Sequence, residues 1–416
     1  MAQVSGKGRR AGILGAAVGV VAAGAAVGFT VERLTIGRAV RRMAAIHDPG
    51  EPFGTLRGDP RTVTASDGIE LYAEVDEPRG WAGGASPAHG AAVPAGGGAG
   101  GLAGAMHAAA ALGRGEGRTA DAEPETRPTL LFTHGFCLPQ DCWHYQRAEF
   151  SATHRMVFWD QRGHGRSDRA PREASGRSKP VTIEQLGEDL HAVLEQTCPE
   201  GPVILIGHSM GGMTMMALAE QHPELFGERV VGAALLSTSA GRFEDVVFGL
   251  PRPSARLLHR TTPPLLDLLS RQIALVERGR ALGGDLSLVL TRRYAFGSEV
   301  PESVVRFTQD LIQSVPIDVI AGFYPVFGRL DLSAAVPVFD RVPSLVLTGA
   351  NDLLLPVAHS EALADAIPSA DYVVLPDAGH AVILERPDAV GEALRTLVDR
   401  VEAQLGPSTS GRRAAQ

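Results

Sequence analysis

The stretch PVILIGHSMGG, residues 202–212, ends an apolar run at Ser209, with Gly207 before it and Gly211 and Gly212 after it. A Gly-x-Ser-x-Gly between a strand and a helix is so sharp a turn that side chains flanking the serine would collide, so small residues are required there. Such a turn lifts the Ser209 hydroxyl clear of the sheet edge and aims the Met210 backbone N–H at any oxyanion the serine generates. The residues that follow, MTMMALAEQHPE, read as a helix whose positive N-terminal end lies close by. Five residues with three fixed recur by chance, as a glycine-rich turn with an idle serine. The apolar strand before this motif and the helix after it supply the context that the chemistry requires.

A serine hydroxyl is a poor nucleophile at its own pKa; it needs a base, and the base needs an orienting group. Downstream, SLVLTGANDLLLP ends a strand at Gly349 and sets Asp352 just beyond it. YVVLPDAGHAVILERP ends another strand and sets His380 in the loop before the last helix, a position held by no other of the thirteen histidines. The chain order serine, acid, histidine is the one expected with such a serine turn, and each residue falls at the carboxyl end of a strand. Taken singly, Asp352 reads equally well as a helix-capping carboxylate and His380 as a surface imidazole. Taken with Ser209, they read as a catalytic triad, Ser209–Asp352–His380. Glu244 or Asp245, after AALLSTSAG, are alternative acids, and Asp377 in PDAGH reads as a residue that shapes the turn.

Acyl transfer also needs two donors on the tetrahedral oxygen. Met210 N–H is one. The second is expected from the loop THGFCLPQDCW, where His134-Gly135 lets the backbone turn back toward the serine; Phe136 N–H is the candidate and Cys137 N–H the other choice. The stretch FWDQRGHGRSD, residues 158–168, reads as a hydrogen-bonded structural turn, with Asp160, Arg162 and Ser167 holding it and His164 outside the chemistry.

These residues must be carried by a sheet. TLLFTH, RMVFWD, PVILIGH, VVGAALLS, SLVLTG and YVVLPD are short, apolar throughout and closed by a polar or glycine-containing turn. Continuous apolar runs are what strands covered on both faces require. Stretches of helical period such as TIEQLGEDLHAVLEQT and RPDAVGEALRTLVDRVEAQL alternate with them, which implies an α/β fold with a doubly wound, mostly parallel sheet. Upstream, TVTASDGIELYAEV (residues 62–75) alternates around Asp67-Gly68 and reads as a β-hairpin. The expected organisation is a core over 55–239 and 338–405, a helical cap over 240–337, a disordered Gly/Ala/Pro insertion over 78–127 and a disordered tail over 406–416.

The chain of 416 residues is long enough for one large core or two smaller ones. Its net charge of −8 and lack of a basic stripe argue against nucleic-acid binding. Three cysteines, Cys137, Cys142 and Cys198, with no CxxC spacing, make neither a disulfide framework nor a zinc site, although Cys137 and Cys142 are near enough in sequence to bridge in an exported protein. Residues 1–45 read as a membrane segment with its flanks: Lys7, Arg9 and Arg10 precede about 19 uncharged residues, a length that spans a bilayer core. The unit GAAVG occurs at 15–19 and again at 24–28, a spacing of small residues that lets membrane helices approach closely. This places the protein at a membrane as a single-pass protein. The alternatives are secretion after cleavage of a signal peptide near Ala23-Gly24-Ala25, and a soluble Ala/Gly helix.

Together, HGF, WDQRGHGRSD, GHSMGG, GANDLLLP and DAGH, in this order, resemble the α/β-hydrolase fold superfamily, in particular its capped esterase and lipase-like members. The resemblance covers about 62–75 and 128–405. It implies an eight-stranded, mostly parallel sheet, the triad named above, and no metal or cofactor. Members that open epoxides or cleave carbon–halogen bonds carry Asp at the position of Ser209, so the resemblance implies hydrolysis of a carboxylic ester or thioester through an acyl-enzyme on Ser209. Acyl transfer, perhydrolysis, amide hydrolysis and C–C hydrolysis would use the same residues. A membrane-tethered binding protein would be marked by loss of Ser209 or His380, and both are present. The expected partner is a small-molecule ester. The reading of the N-terminus predicts that full-length protein stays in the membrane fraction after high-salt and carbonate washing; a soluble protein whose N-terminus starts near Ala26 would replace the anchor with a cleaved leader.

Overall fold

In the computed structural model of the chain, residues 52–78, 127–169, 181–241, 284–328 and 330–406 are described, with isolated positions between 257 and 265. Glu244 and Asp245, the membrane segment at 1–45, nearly all of the insertion at 78–127 and all of the tail after Gly406 lie outside the described residues. Among the described residues no helix is long and apolar enough to cross a membrane.

Each apolar run forms a strand. The strands are β1 Asp59–Thr64, β2 Glu70–Asp76, β3 Thr129–Thr133, β4 Met156–Trp159, β5 Val203–His208, β6 Val230–Leu236, β7 Ser344–Gly349 and β8 Asp371–Leu375. They form one eight-stranded sheet in the order β1-β2-β4-β3-β5-β6-β7-β8. Strands β3 to β8 pair in parallel, while β2 runs antiparallel to both β1 and β4. The hairpin turns at Asp67-Gly68, where Gly68 takes φ +84° and the Asp67 carboxylate accepts the Ile69 N–H at 3.3 Å.

The helices, in chain order, are α1 His144–Phe150, α2 Ile183–Thr197, α3 Met210–Gln221, α4 Gly284–Ala295, α5 Glu302–Ser314, α6 Ile317–Phe327, α7 Ala358–Ala366, α8 Val382–Glu385 and α9 Pro387–Leu405. Helix α2 starts on a capping box in which Thr182 and Gln185 satisfy each other's backbone N–H groups. Pro387 starts α9, where its missing N–H costs nothing.

Side-chain alternation along the strands splits the apolar residues between two layers. Leu131, Val157, Leu205 and Leu235 face the layer that contains α2 and α3. Leu130, Phe158, Ile206 and Leu236 face the layer that contains α9. Each such side chain, fully buried, contributes about 1.5–3 kcal/mol relative to exposure. Strand β8 departs from the expectation of cover on both faces. Tyr372 and Val374 are each 38% exposed, because β8 is the sheet edge and only Val373 and Leu375 turn toward the α9 layer.

A buried arginine holds the turn after β4. Arg162 forms a two-point ion pair with Asp189 of α2, both contacts at 2.6 Å, and a further contact at 2.8 Å with Asp67 of the hairpin turn. In the same turn Asp160 accepts the Gln140 and Arg166 N–H groups at 2.7 and 2.9 Å, and Ser167 Oγ accepts the Tyr72 N–H at 2.8 Å. The turn is thereby tied to β2, to α2 and to the loop after β3, beside the carboxyl ends of the central strands.

Candidate active site

At the end of β5 the backbone enters α3 through Ser209, whose φ of 53° and ψ of −118° lie in a region that side chains rarely adopt. The space around this turn explains its neighbours. A Cβ on Gly211 would stand 2.1 Å from the Thr133 carbonyl oxygen, and one on Gly207 would stand 2.7 Å from the Gly211 and Gly212 backbone. Two hydrogen bonds pin the serine's own backbone: its N–H donates to Leu236 O at 2.9 Å, and its carbonyl accepts the Thr238 hydroxyl at 2.6 Å.

Ser209, His380 and Asp352 stand in one hydrogen-bonded line. Ser209 Oγ is 3.0 Å from His380 Nε2, and His380 Nδ1 is 2.7 Å from Asp352 Oδ2. The other Asp352 oxygen accepts the Leu354 and Leu355 N–H groups, both at 2.8 Å, so the carboxylate is fixed before it meets the imidazole. With Nδ1–H facing a carboxylate, Nε2 presents its lone pair to the serine hydroxyl. Asp377 is exposed, and its backbone carbonyl accepts from Arg386 at 3.0 Å.

Beside Ser209 runs the loop after β3. Neither the Phe136 nor the Met210 N–H meets a protein acceptor among the described residues, whereas the Cys137 N–H donates to His164 Nε2 at 3.2 Å. His164 itself donates from Nδ1 to Arg162 O at 3.1 Å, so its ring braces the loop. Among the described residues Cys137, Cys142 and Cys198 form no disulfide with one another.

The serine and histidine open into a cavity of about 720 Å³ whose walls are mostly apolar, among them Phe136, Met213, Leu290, Tyr294, Phe327 and Leu355. Helices α4 and α6, from the segment between β6 and β7, supply Leu290, Tyr294 and Phe327. Phe136 makes edge contact with Phe327 at 5.1 Å and lies 5.8 Å from Phe323, which joins the loop to α6.

Two positioning groups escaped the sequence reading. His208, next to the serine, donates from Nε2 to the carbonyl of His380 at 2.9 Å, tying the β5 turn to the histidine loop. Burial and the neighbouring His380 push His208 down to about 3, so it stays neutral. Glu385 is buried and accepts the Gly379 N–H at 2.6 Å, the Ser298 N–H at 2.7 Å, the Ser298 hydroxyl at 2.6 Å and the Gly297 N–H at 3.0 Å. One carboxylate thus binds the residue before His380 to the α4–α5 connection. The faint sequence signal was an acid inside the apolar run AVILE, where a buried charge demands partners.

Two predictions follow from this geometry. Glu385→Gln places an amide donor against backbone donors; since hydrogen bonds to a charged group are worth about 1.5–3 kcal/mol, unfolding free energy falls by a similar amount. Turnover of an ester falls as well, and a variant unchanged in denaturant midpoint and kcat would refute the clamp. The second concerns pH. Burial holds His134 well below the ordinary 6.5 and lowers His164 to about 4, alongside His208 at about 3. A depressed histidine contributes stability above 6.5 that is lost as pH falls toward its folded value, at about 1.4 kcal/mol per pH unit for each group. Asp160, raised by burial to about 6, works the other way and regains stability as pH falls from 6 to 3.8. Three groups against one leave a net loss, so the thermal midpoint is lower at pH 5 than at pH 7; an equal or higher midpoint at pH 5 would contradict it.

The comparison with known proteins agrees with the fold. A family model described as the alpha/beta hydrolase fold matches residues 128–387. The 3-oxoadipate enol-lactonase 2 of Acinetobacter baylyi is 26% identical over 279 residues, covering 66% of this chain and 90% of the relative. A solved thermophilic esterase from Thermogutta terrifontis superposes with a TM-score of 0.55 at 22% identity, covering 82% of this chain and 99% of that one. A solved bromoperoxidase from Bacillus anthracis also reaches 0.55, at 17% identity, covering 82% and 99%. With the family match spanning well over half its length, and with this sheet, this chain belongs to the α/β-hydrolase fold family and is an enzyme of its hydrolase kind.

Proposed function

We propose that this chain hydrolyses carboxylic esters of apolar acids through an acyl-enzyme on Ser209. One observation carries the reading: the unbroken line Ser209 Oγ–His380 Nε2 and His380 Nδ1–Asp352 Oδ2, at 3.0 and 2.7 Å, opening into a mostly apolar cavity. The esterase and enol-lactonase among its relatives act on the same class of bond, which supports it.

Ser209 Oγ attacks the ester carbonyl carbon while its proton passes to His380 Nε2. The carbonyl electron pair moves to oxygen, and the oxyanion is held by the Phe136 and Met210 N–H groups. Asp352 stabilises the imidazolium and keeps its Nδ1–H directed inward. Collapse of the tetrahedral species breaks the C–O bond, and the alkoxide leaves with the proton from His380. Water, deprotonated by His380, then attacks the acyl carbon; the acid is released and Ser209 regains its proton. No step calls on a metal or cofactor.

The cavity volume lies within the range of pockets that enclose a small organic ligand. Its walls offer few fixed polar groups, so they select acyl chains by length and shape, about 1–3 kcal/mol for each methylene that fits or fails. With residues 1–45 as an anchor, the enzyme works at a membrane surface, where apolar esters partition.

Ser209→Ala leaves the thermal midpoint in place, abolishes fluorophosphonate labelling and lowers kcat by at least about a thousandfold. Asp352→Asn keeps the fold but holds the imidazole in the wrong tautomer, with a loss near ten-thousandfold. Glu244→Gln and Asp245→Asn are close to silent. The measurement is kcat on p-nitrophenyl esters of graded chain length. A Ser209→Ala enzyme that retains most activity would remove the nucleophile assignment, and an active Asp352→Asn beside a crippled Asp245→Asn would move the acid.

A further inference from the structure

At the far end of the helix that begins after Ser209, a second group of chemically capable side chains comes together. Helix α2 presents Glu188 and His191, three residues apart and therefore on one face. His222 follows the last residue of α3, about 18 Å along that helix from the serine turn. The three side chains offer donor atoms that all lie within 4.8 Å of one another, and among the described residues no other His, Cys, Asp or Glu group does so. The two imidazole rings stack with centroids 4.0 Å apart.

His222 stands between two carboxylates. His222 Nδ1 lies 3.3 Å from the Glu224 carboxylate, which fixes the proton on that nitrogen in a neutral ring. Nε2 then carries a lone pair, is buried, and has no hydrogen-bond partner. It lies 3.4 Å from Glu188 Oε1. In the tautomer with its proton on Nδ1, the ring turns the Nε2 lone pair toward that carboxylate oxygen, and a cation between the two atoms would hold both. The separation is also telling: two ligands of a tetrahedral ion with bonds of about 2.1 Å are about 3.4 Å apart. Glu224 takes the place of the carboxylate that commonly orients a metal-bound histidine from behind.

We propose that Glu188, His191 and His222 form a binding site for one divalent transition cation, zinc by ligand type, with Glu224 orienting His222. Two imidazoles and one carboxylate suit zinc, cobalt or nickel, and not magnesium or calcium, which take oxygen ligands. The stacked rings hold their in-plane lone pairs nearly parallel, so the half-buried His191 ring must turn off His222 to become the third ligand. The site bridges α2 and the end of α3, where Gln221 Nε2 already donates to the Glu184 carbonyl at 3.1 Å. A cation there fastens the trailing end of the helix whose leading end carries Ser209. This is a stabilising site and takes no part in the ester chemistry.

The test uses untagged, chelator-stripped full-length protein and zinc chloride alone. Calorimetry finds one equivalent bound, magnesium finds none, and X-ray absorption reports two imidazoles in the zinc shell. At zinc a hundredfold above its dissociation constant the thermal midpoint rises by about 5 °C. The double variant His191→Gln/His222→Gln loses both binding and the shift. Glu188→Gln, which keeps both rings, weakens binding at least about tenfold and serves should the double variant fail to fold. Two results would overturn the site: no zinc uptake by the unaltered protein, or a shift that persists in the variants.

Discussion

Everything at the site hangs on one strained residue. Ser209 holds a positive φ because the chain must leave β5 and enter α3 within a single residue, and the strain is resisted from three sides. The Gly211 Cα lies hard against the Thr133 carbonyl, Gly207 against the start of α3, and the Ser209 carbonyl is fastened by Thr238. None of these contacts is chemistry, yet each is needed to keep the hydroxyl 3.0 Å from His380 Nε2. A conformation costing about 1–3 kcal/mol persists only where its surroundings over-determine it. Here the parallel strands β3, β5 and β6 supply those surroundings, which is why the sheet order matters to function.

The imidazole side of the line is fixed by two buried groups. His208 stays uncharged and lends one N–H to the His380 carbonyl, while Glu385 grips the residue before His380 and reaches across to Gly297 and Ser298. Because one carboxylate serves both the histidine loop and the connection between two helices that line the cavity, the base and the cavity wall share a support. The ion pair of Arg162 with Asp189 and Asp67 does similar work on the opposite flank, holding the turn whose His164 braces the Cys137 N–H. The Cys137 N–H is thereby engaged, while the Phe136 N–H meets no protein acceptor among the described residues.

What the sequence made legible is what is encoded locally. Ser209, Asp352 and His380 each follow an apolar run within a few residues, so their place at strand ends could be read before any contact was known. Their meeting in space, and the apolar runs as eight strands of one sheet, follow from that regularity. Partnerships across long separations were illegible. Glu385 binds residues 87 and 88 positions away, and His208 binds a carbonyl 172 positions away. Nothing in AVILE or GHS specifies those partners. The half-exposed β8 was misread for a related reason: DYVVL has the composition of a central strand, and only the sheet order reveals it as an edge.

The same distinction bears on selectivity. The reacting line is made of short contacts between atoms whose positions the sheet dictates, so it has little freedom to vary. The cavity is walled largely from the segment between β6 and β7, by side chains such as Leu290, Tyr294 and Phe327. Replacing one apolar wall residue by another changes the free volume without disturbing the strained serine turn, because the two are built from different parts of the chain. Phe136 and Leu355 are exceptions. The Phe136 backbone belongs to the loop beside Ser209 while its ring rests on Phe323 and Phe327 of α6, so a shift of that helix bears on that loop. The aromatic contact between the loop and α6 thus couples the packing of that helix to the loop beside Ser209, as the Leu355 N–H couples the cavity wall to Asp352.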